Sequence, residues 1–347
     1  MKMLNLTHTG TQEIETGRLL LRRFVMSDAN EIFREWMSYE NISKYMRWEY
    51  HKSISETKTF LMNTIAGYEQ FNTYQWGIEL KNEGILIGAI GANIYSERDR
   101  NATVGYCLGE RFWNRGYATE ALRAVMDYMF YDVNVNRVEG CSSINNPASG
   151  KVMQKAGLIK EGTIRQEYMT GEGEYQDVDL YGLVKEDFEK LYEPEIKDFL
   201  DLREMNLSAY SLSLKCSEYY EGDIKKNHVP AYNFDIIEKN SDMVCGEISL
   251  RLGFTEGLYY GGHIGYTVNE DYRNMGVATV ACGIILELVR AHGFKKIIIT
   301  NNHTNKASRR VCEKIGARLV RIAKLPQWHD LYIIGQRYEC IYELDFI

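Results

Sequence analysis

One stretch of this chain is written twice, and that duplication constrains the fold more than any other feature. Val104 to Gly116 reads V-G-Y-C-L-G-E-R-F-W-N-R-G, and Ile264 to Gly276 reads I-G-Y-T-V-N-E-D-Y-R-N-M-G, at an offset of 160 residues. In both copies a β-type run carrying Gly105-Tyr106 or Gly265-Tyr266 leads into Asn-x-Gly-x-Ala-Thr. The fixed positions are Asn114, Gly116, Ala118 and Thr119, then Asn274, Gly276, Ala278 and Thr279. A strand, a short glycine turn and a helix start, repeated whole, mark an internal duplication. A second block trails each copy: Ala148-Ser149-x-x-Val152-x-x-Lys155-x-Gly157 matches Ala307-Ser308-x-x-Val311-x-x-Lys314-x-Gly316. Its offset is 159, so one residue has been lost between the blocks. The 347 residues exceed what a single core usually supports. The expected division is a tail over 1–12, a first domain over 13–188, a linker over 189–195 and a second domain over 196–347. The linker falls in the charged stretch Lys185 to Lys197, which contains Pro194.

Apolar periodicity supplies the order of elements. Arg18 to Phe24 reads as a first strand, and Ser27 to Glu31 opens a helix with Asp28 and Glu31 spaced as a capping box. A helix over Ser55–Tyr68 and strands over Tyr74–Leu80, Ile85–Tyr95 and Ala102–Leu108 follow. After Gly116 the period changes. Ala118, Ala121, Leu122, Val125, Met126 and Met129 recur at three- and four-residue steps, so one helical face is buried against a sheet. Arg137–Ser143 is the next strand, Asn146 starts a helix that stops at Gly157, and residues 163–184 form a closing strand pair. The second domain repeats this order around strands Ser208–Cys216, Tyr232–Ile237, Val244–Leu252, His263–Val268 and Lys296–Thr300, with helices Ala278–His292 and Asn305–Ile315. It has about 40 residues before its Tyr232 strand where the first domain has about 60 before Tyr74, so its front helices are expected to be short or missing.

A net charge of -7 argues against a nucleic-acid partner, because phosphate contacts need a basic face. Seven scattered cysteines, with no C-x-x-C pair and no histidine at ligand spacing, read as reduced thiols and imply no metal. No apolar run approaches the roughly 20 residues of a membrane span, and Met1 to Gly10 has no signal-peptide core. A cytoplasmic protein with no membrane partner is expected.

A strand that runs through a glycine turn into a helix presents free backbone N–H groups at the positive end of the helix dipole, an anion site. Gly116 and Gly276 let the backbone approach an oxygen closely, and Ala118 and Ala278 keep the next turn uncrowded. Arg115 and Arg273 add charge-assisted contacts. Taken alone, such a turn is equally a tight strand-to-helix connection.

The set Trp113-Asn114-Arg115-Gly116-Tyr117-Ala118, preceded by the Gly-Tyr strand and followed by Asn146-x-x-Ser149 and Lys155-Ala156-Gly157, resembles the GNAT superfamily of N-acetyltransferases. Within it, the first domain is similar to the RimJ/RimL type that acetylates ribosomal-protein N-termini. The second domain carries Arg273-Asn274-Met275-Gly276-Val277-Ala278, with Gly261 to Tyr266 and Leu325-Pro326-x-x-His329-Asp330-x-Tyr332, and resembles a less characterised branch of predicted acetyltransferases. The resemblance covers residues 13–188 and 196–346. It implies a mixed α/β (α+β) chain of two acyl-CoA N-acyltransferase domains in tandem. Each would be a twisted, mostly antiparallel sheet flanked by helices and splayed at a cofactor cleft, the pair forming an internal pseudo-dimer in a monomer or a homodimer.

By the same resemblance the cofactor is acetyl-CoA. The turn residues Trp113 to Ala118 and Arg273 to Ala278 would hold its pyrophosphate, strands ending at Leu108 and Val268 would line the pantetheine, and Asn146 and Asn305 would hydrogen-bond it. Both copies have asparagine, Asn114 and Asn274, where many members have glycine, and Met275 stands where a polar residue is usual. The activity implied is acetyl transfer to a protein N-terminus or a small-molecule amine, by direct attack in a ternary complex. Backbone N–H groups at Leu108 or Val268 would stabilise charge on the acyl oxygen. Many members protonate the leaving thiolate with a tyrosine seven residues after the asparagine, but those positions here are Met153 and Cys312. Ser149 and Ser308 are the substitutes, or else each caps its helix. For the base, Asp177 matches a carboxylate typical of the RimJ/RimL type, with Glu79 and Glu139 as strand alternatives. Glu247 and His263 are the candidates in the second domain. A second reading makes one domain, more readily the second, a structural or acyl-CoA-sensing module.

Overall fold

The computed structural model describes residues 5–223 and 226–346. The chain divides into two compact units, one ending at Phe188 and the other beginning at Glu189. Among the described residues no helix is long and apolar enough to cross a membrane.

The first unit runs β1 (Ile14–Glu15), β2 (Leu19–Arg22), α1 (Ala29–Ile32), α2 (Glu40–Ser43), α3 (Ile54–Gly67), β3 (Tyr74–Leu80), β4 (Ile85–Ser96) and β5 (Asn101–Leu108). It continues through α4 (Tyr117–Tyr131), β6 (Arg137–Ser143), α5 (Pro147–Ala156), β7 (Ile159–Met169) and β8 (Tyr175–Val184), after which α6 (Lys185–Lys190) follows. The strands form one eight-stranded sheet in the order β1-β2-β3-β4-β5-β6-β8-β7. All neighbours are antiparallel except β5 and β6. The 3.6-residue stripe of α4 is buried as its sequence requires: Ala121, Leu122, Val125, Met126 and Met129 are all inaccessible to solvent. A separate cluster, with Phe24, Ile32, Trp36 and Leu61 packed on Leu86 and Ala89, seats the front helices on the sheet. One local expectation fails here. Asp28 does not cap α1; its carboxylate accepts from the Val25 N–H and pairs with Arg22 at 2.9 Å. The arginine offers two charge-assisted bonds where a cap offers weaker ones.

The second unit contains β9 (Ser208–Ala209), β10 (Leu212–Tyr220), β11 (Ala231–Glu238), β12 (Met243–Arg251), α7 (Glu256–Gly261), β13 (Ile264–Val268) and α8 (Val277–Ala291). It closes with β14 (Lys296–Asn302), α9 (Lys306–Lys314), β15 (Arg318–Lys324), α10 (Asp330–Ile333) and β16 (Tyr338–Asp345). By sheet order β10 and β11 correspond to β2 and β3, and among the described residues of the short connection 221–230 there is no α-helix, so the counterparts of α1 to α3 are missing. Its strands form two sheets, β13-β12-β11-β10-β9 and β14-β16-β15, rather than one. The core spans both: α8 buries Ala281, Cys282, Ile285, Leu288 and Val289 against residues of each sheet, including Ile248, Leu250, Ile297 and Ile299. Each fully buried Leu or Ile contributes roughly 1.5–3 kcal/mol, which is what joins the two sheets in the absence of a continuous ladder.

Candidate active site

The repeated turn has the same backbone in both units. Gly116 is left-handed at φ 79°, ψ 2° and Gly276 at φ 83°, ψ 2°, each as the N-cap of a 15-residue helix. Asn114 and Asn274 are also left-handed, at φ 59° and 63°. Asparagine is one of the few L residues that visits this region, which is how it stands in place of glycine. Residues 113–116 and 273–276 are exposed. The first N–H groups of α4 and α8 have no partners inside their own helices, so both turns offer donors to an outside anion. A residue not anticipated from the sequence joins the first turn. Arg18 donates to the Arg115 carbonyl at 3.0 Å, lies 4.5 Å over the Tyr117 ring and pairs with Glu120 at 2.7 Å.

Each turn sits beside a gap between strands. β5 and β6 pair only over Asn101–Thr103 and Arg137–Glu139, and then part while β5 continues to Leu108 and β6 to Ser143. Gly109 N–H bonds to Ile87 O, which makes Leu108 and Gly88 a non-hydrogen-bonded pair and points the Leu108 N–H away from β4. The second unit repeats this: Asn269 N–H bonds to Cys245 O, and Val268 opposes Gly246. The carbonyls of both strand ends are tied back, Leu108 O by Trp113 Nε1 at 2.8 Å and Val268 O by Arg273 Nε at 3.2 Å. Gly88 and Gly246 permit the close approach of the paired strands. A Cβ on either would lie 2.2 Å from the Cys107 or Thr267 carbonyl oxygen.

Across the gap, Asn146 and Asn305 cap α5 and α9, accepting from the Ser149 and Ser308 N–H at 3.4 and 3.1 Å and leaving their side-chain NH2 groups outside the cap. The Ser149 hydroxyl meets Tyr106 Oη at 3.1 Å, and the Ser308 hydroxyl meets Tyr266 Oη at 2.8 Å. Burial raises both tyrosine pKa values, so both hydroxyls stay protonated at neutral pH. These tyrosines belong to the repeated Gly-Tyr pair. The recurrence was visible in the sequence, but the partner on a helix 42 or 43 residues away was not. Met153 and Cys312, at the family's tyrosine position, are both buried, and Cys312 accepts from Asn301 Nδ2 at 3.3 Å.

The candidate bases are dispersed. Asp177 is half-buried on β8, just past the end of β6; its carboxylate accepts from the Gln166 N–H at 2.9 Å. Glu79 and Glu139 are engaged by Arg22 and Arg137 at 2.6 and 3.0 Å. Glu247 is exposed on β12, opposite Asp235 and Thr267. His263 does not fit the role of a base. It is fully buried, its Nδ1 accepts from the Ile298 N–H at 3.0 Å, and its Nε2 donates to Tyr192 O at 3.0 Å. Its own N–H bonds to Ile298 O at 2.7 Å. Burial lowers its pKa to about 4, so it stays neutral and joins β13 to β14 where a regular ladder would otherwise begin. A group absent from sequence reasoning is Glu339, 2% exposed on β16, whose carboxyl burial pushes up to about 8. Among the described residues no cluster of His, Cys, Asp or Glu is arranged to hold a metal ion.

Exposed left-handed turns at helix starts, a neighbouring strand edge with inward N–H groups and a hydroxyl across the gap fit a diphosphate-bearing thioester. They make this the candidate acyl-CoA site of the chain. The acetyltransferase (GNAT) domain model matches residues 18–159 and 179–318, and the chain belongs to that family. An uncharacterized N-acetyltransferase of Bacillus subtilis, YoaA, is 32% identical over 172 residues, covering 50% of this chain and 96% of the relative. A putative ribosomal N-acetyltransferase of the same organism, YdaF, is 26% identical over 152 residues, covering 43% of this chain and 81% of the relative. The crystal structure of a GNAT-family acetyltransferase from Bacillus anthracis aligns at 24% identity and a TM-score of 0.45, over 50% of this chain and 99% of that one. The protein is an N-acetyltransferase of a family that uses acetyl-CoA.

Proposed function

We propose that the chain acetylates a primary amine, a protein N-terminus or a small-molecule amine, by direct attack in a ternary complex. The observation that carries this reading is the left-handed Asn-x-Gly turn beside an unpaired strand end, present in both units. When bound, acetyl-CoA supplies a thioester whose acyl carbon forms a C–N bond with the amine as its C–S bond breaks. Backbone N–H groups after Gly116 and Gly276 bind the diphosphate, with Arg18, Arg115 and Arg273 adding positive charge. The N–H groups of Leu108 and Val268 donate to the acyl oxygen, where negative charge develops. Ser149, held by Tyr106, and Ser308, held by Tyr266, deliver a proton to the departing sulfur. Asp177 accepts the proton that the amine loses in the first unit. The name of the relative YdaF supports a protein N-terminus as acceptor.

The missing front helices of the second unit favour a second reading, in which that unit serves as a structural or acyl-CoA-sensing module. Calorimetric titration of acetyl-CoA into the wild-type chain and into Gly116→Glu and Gly276→Glu variants separates the readings. Two sites per chain, each removed by one variant, are expected; one site, removed by only one variant, would leave a single working centre. Turnover against N-terminal peptides and an amine panel then identifies the acceptor class. Intact binding with no turnover on either would replace catalysis with sensing.

A further inference from the structure

The second unit has a cavity of about 780 Å³ whose lining includes Asn233, Ser249, Arg251, Leu258, Gly262 and Trp328. Ser249 and Arg251 alternate along β12 with the core residues Ile248 and Leu250, so they occupy the sheet face turned away from α8. The Arg251 guanidinium lies against Gly265, where an added Cβ would come 3.3 Å from both of its terminal nitrogens. Nη1 donates to the Gly262 carbonyl at 2.9 Å. Among the described residues that neutral oxygen is its only side-chain hydrogen-bond partner, and no carboxylate pairs with it. Burial accordingly lowers its pKa with nothing opposing the shift. A withdrawn cation without a counter-charge is costly, and a cavity that holds one is suited to a ligand that brings the charge.

Two further features narrow the ligand. The cavity also holds acidic side chains, Glu256 and Asp330, at the first positions of α7 and α10, so both signs of charge line it. The first unit lacks the arginine. Arg251 N–H bonds to His263 O, His263 stands 160 residues after Thr103, and Thr103 opposes Asn93, an exposed neutral residue. The device therefore belongs to one unit, whereas the turn and the Tyr–Ser pair belong to both.

We propose that this cavity binds an amine that also carries a carboxylate, with the Arg251 guanidinium pairing with that carboxylate. The inference rests on the acyl-transfer reading only for the fate of the amine; binding is read without acetyl-CoA.

The test is thermal unfolding of the full chain with millimolar standard amino acids, each beside its α-carboxamide, and with C-terminally amidated peptides beginning with Asp or Glu. At least one carboxylate-bearing probe is expected to raise Tm by about 2–4 °C, and its amide counterpart, which keeps the amine but lacks the carboxylate, to leave Tm unchanged. The shift should vanish in Arg251→Met, persist in weakened form in Arg251→Lys and be unaltered in Gly276→Glu. Retained circular dichroism in the methionine variant, with the weakened response of the lysine variant, guards against misreading a folding defect. A response to free amino acids assigns a small-molecule ligand, and one confined to the peptides assigns an acidic protein N-terminus. The proposal is overturned if no carboxylate shifts Tm, if amides act equally, or if Arg251→Met responds as wild type does. Retained binding with no acetyl transfer to the bound amine would sink the acyl-transfer reading and leave this one standing.

Discussion

Tyr266 places its hydroxyl 2.8 Å from the Ser308 side chain, and Tyr106 lies 3.1 Å from the Ser149 hydroxyl while donating to the Ser149 carbonyl at 2.9 Å. Under the proposed mechanism a serine held in this way delivers its proton to the departing sulfur. Ser149→Ala is expected to lower kcat about 100-fold while the KM for acetyl-CoA stays within about twofold. Tyr106→Phe, which frees the serine without removing it, is expected to cost less, about tenfold, and to change the pH dependence of kcat. Steady-state kinetics across pH measure both; unchanged kcat in the two variants would reduce the pair to a helix cap.

The left-handed asparagines set the turn. Asn114→Ala places a Cβ residue without a local hydrogen-bonding group at φ 59°, at a cost of about 1–2 kcal/mol. Asn114→Gly keeps the conformation. Calorimetry is therefore expected to show acetyl-CoA binding weakened about tenfold by the alanine and nearly unchanged by the glycine. Equal weakening by both would mean that the asparagine side chain itself contacts the cofactor.

His263 ties stability to acid. Its folded pKa of about 4 lies below its ordinary 6.5, because burial, aided by the Arg251 charge, outweighs its backbone bonds. The folded state thus binds the proton less well, and its contribution, present above pH 6.5, is lost as pH falls from 6.5 towards 4. His263→Leu removes the ring bonds and should lower stability at pH 7 by about 2 kcal/mol. It should also flatten the decline of Tm between pH 6.5 and 4 relative to wild type, which a series of thermal melts measures.

Glu339 ties stability to base. Its folded pKa of about 8 exceeds the unfolded value of 4.5, so the folded state holds the proton and loses stability as pH rises from about 4.5 to 8. Glu339→Gln is expected to raise Tm by roughly 3–6 °C at pH 8.5 and to change it little at pH 4.5. An equal change at both pH values would show that the carboxyl is not titrating in place.

The regular elements were legible where apolar period and local chemistry agree. The strands Tyr74–Leu80 and Arg137–Ser143 and the stripe of α4 stand where periodicity puts them. The glycine turn was legible because φ is a local property of the residue. What escaped depends on contacts distant in sequence. Asp28 had a capping interval but meets Arg22 across a turn. His263 had the residue type of a base, but Ile298 and Tyr192, 35 and 71 residues away, make it a clamp. Arg251 and Glu339 gave no signal because their burial follows from strand register and from the packing of two sheets, neither of which a one-dimensional pattern contains.

The tandem arrangement has a consequence for how such a protein diverges. In a homodimer of identical chains, every substitution appears at both centres simultaneously. Here the codon for residue 251 specifies arginine while its counterpart, residue 93, specifies asparagine. One centre can therefore acquire a new ligand preference while the other keeps the old one, at a fixed ratio of one to one and under a single promoter.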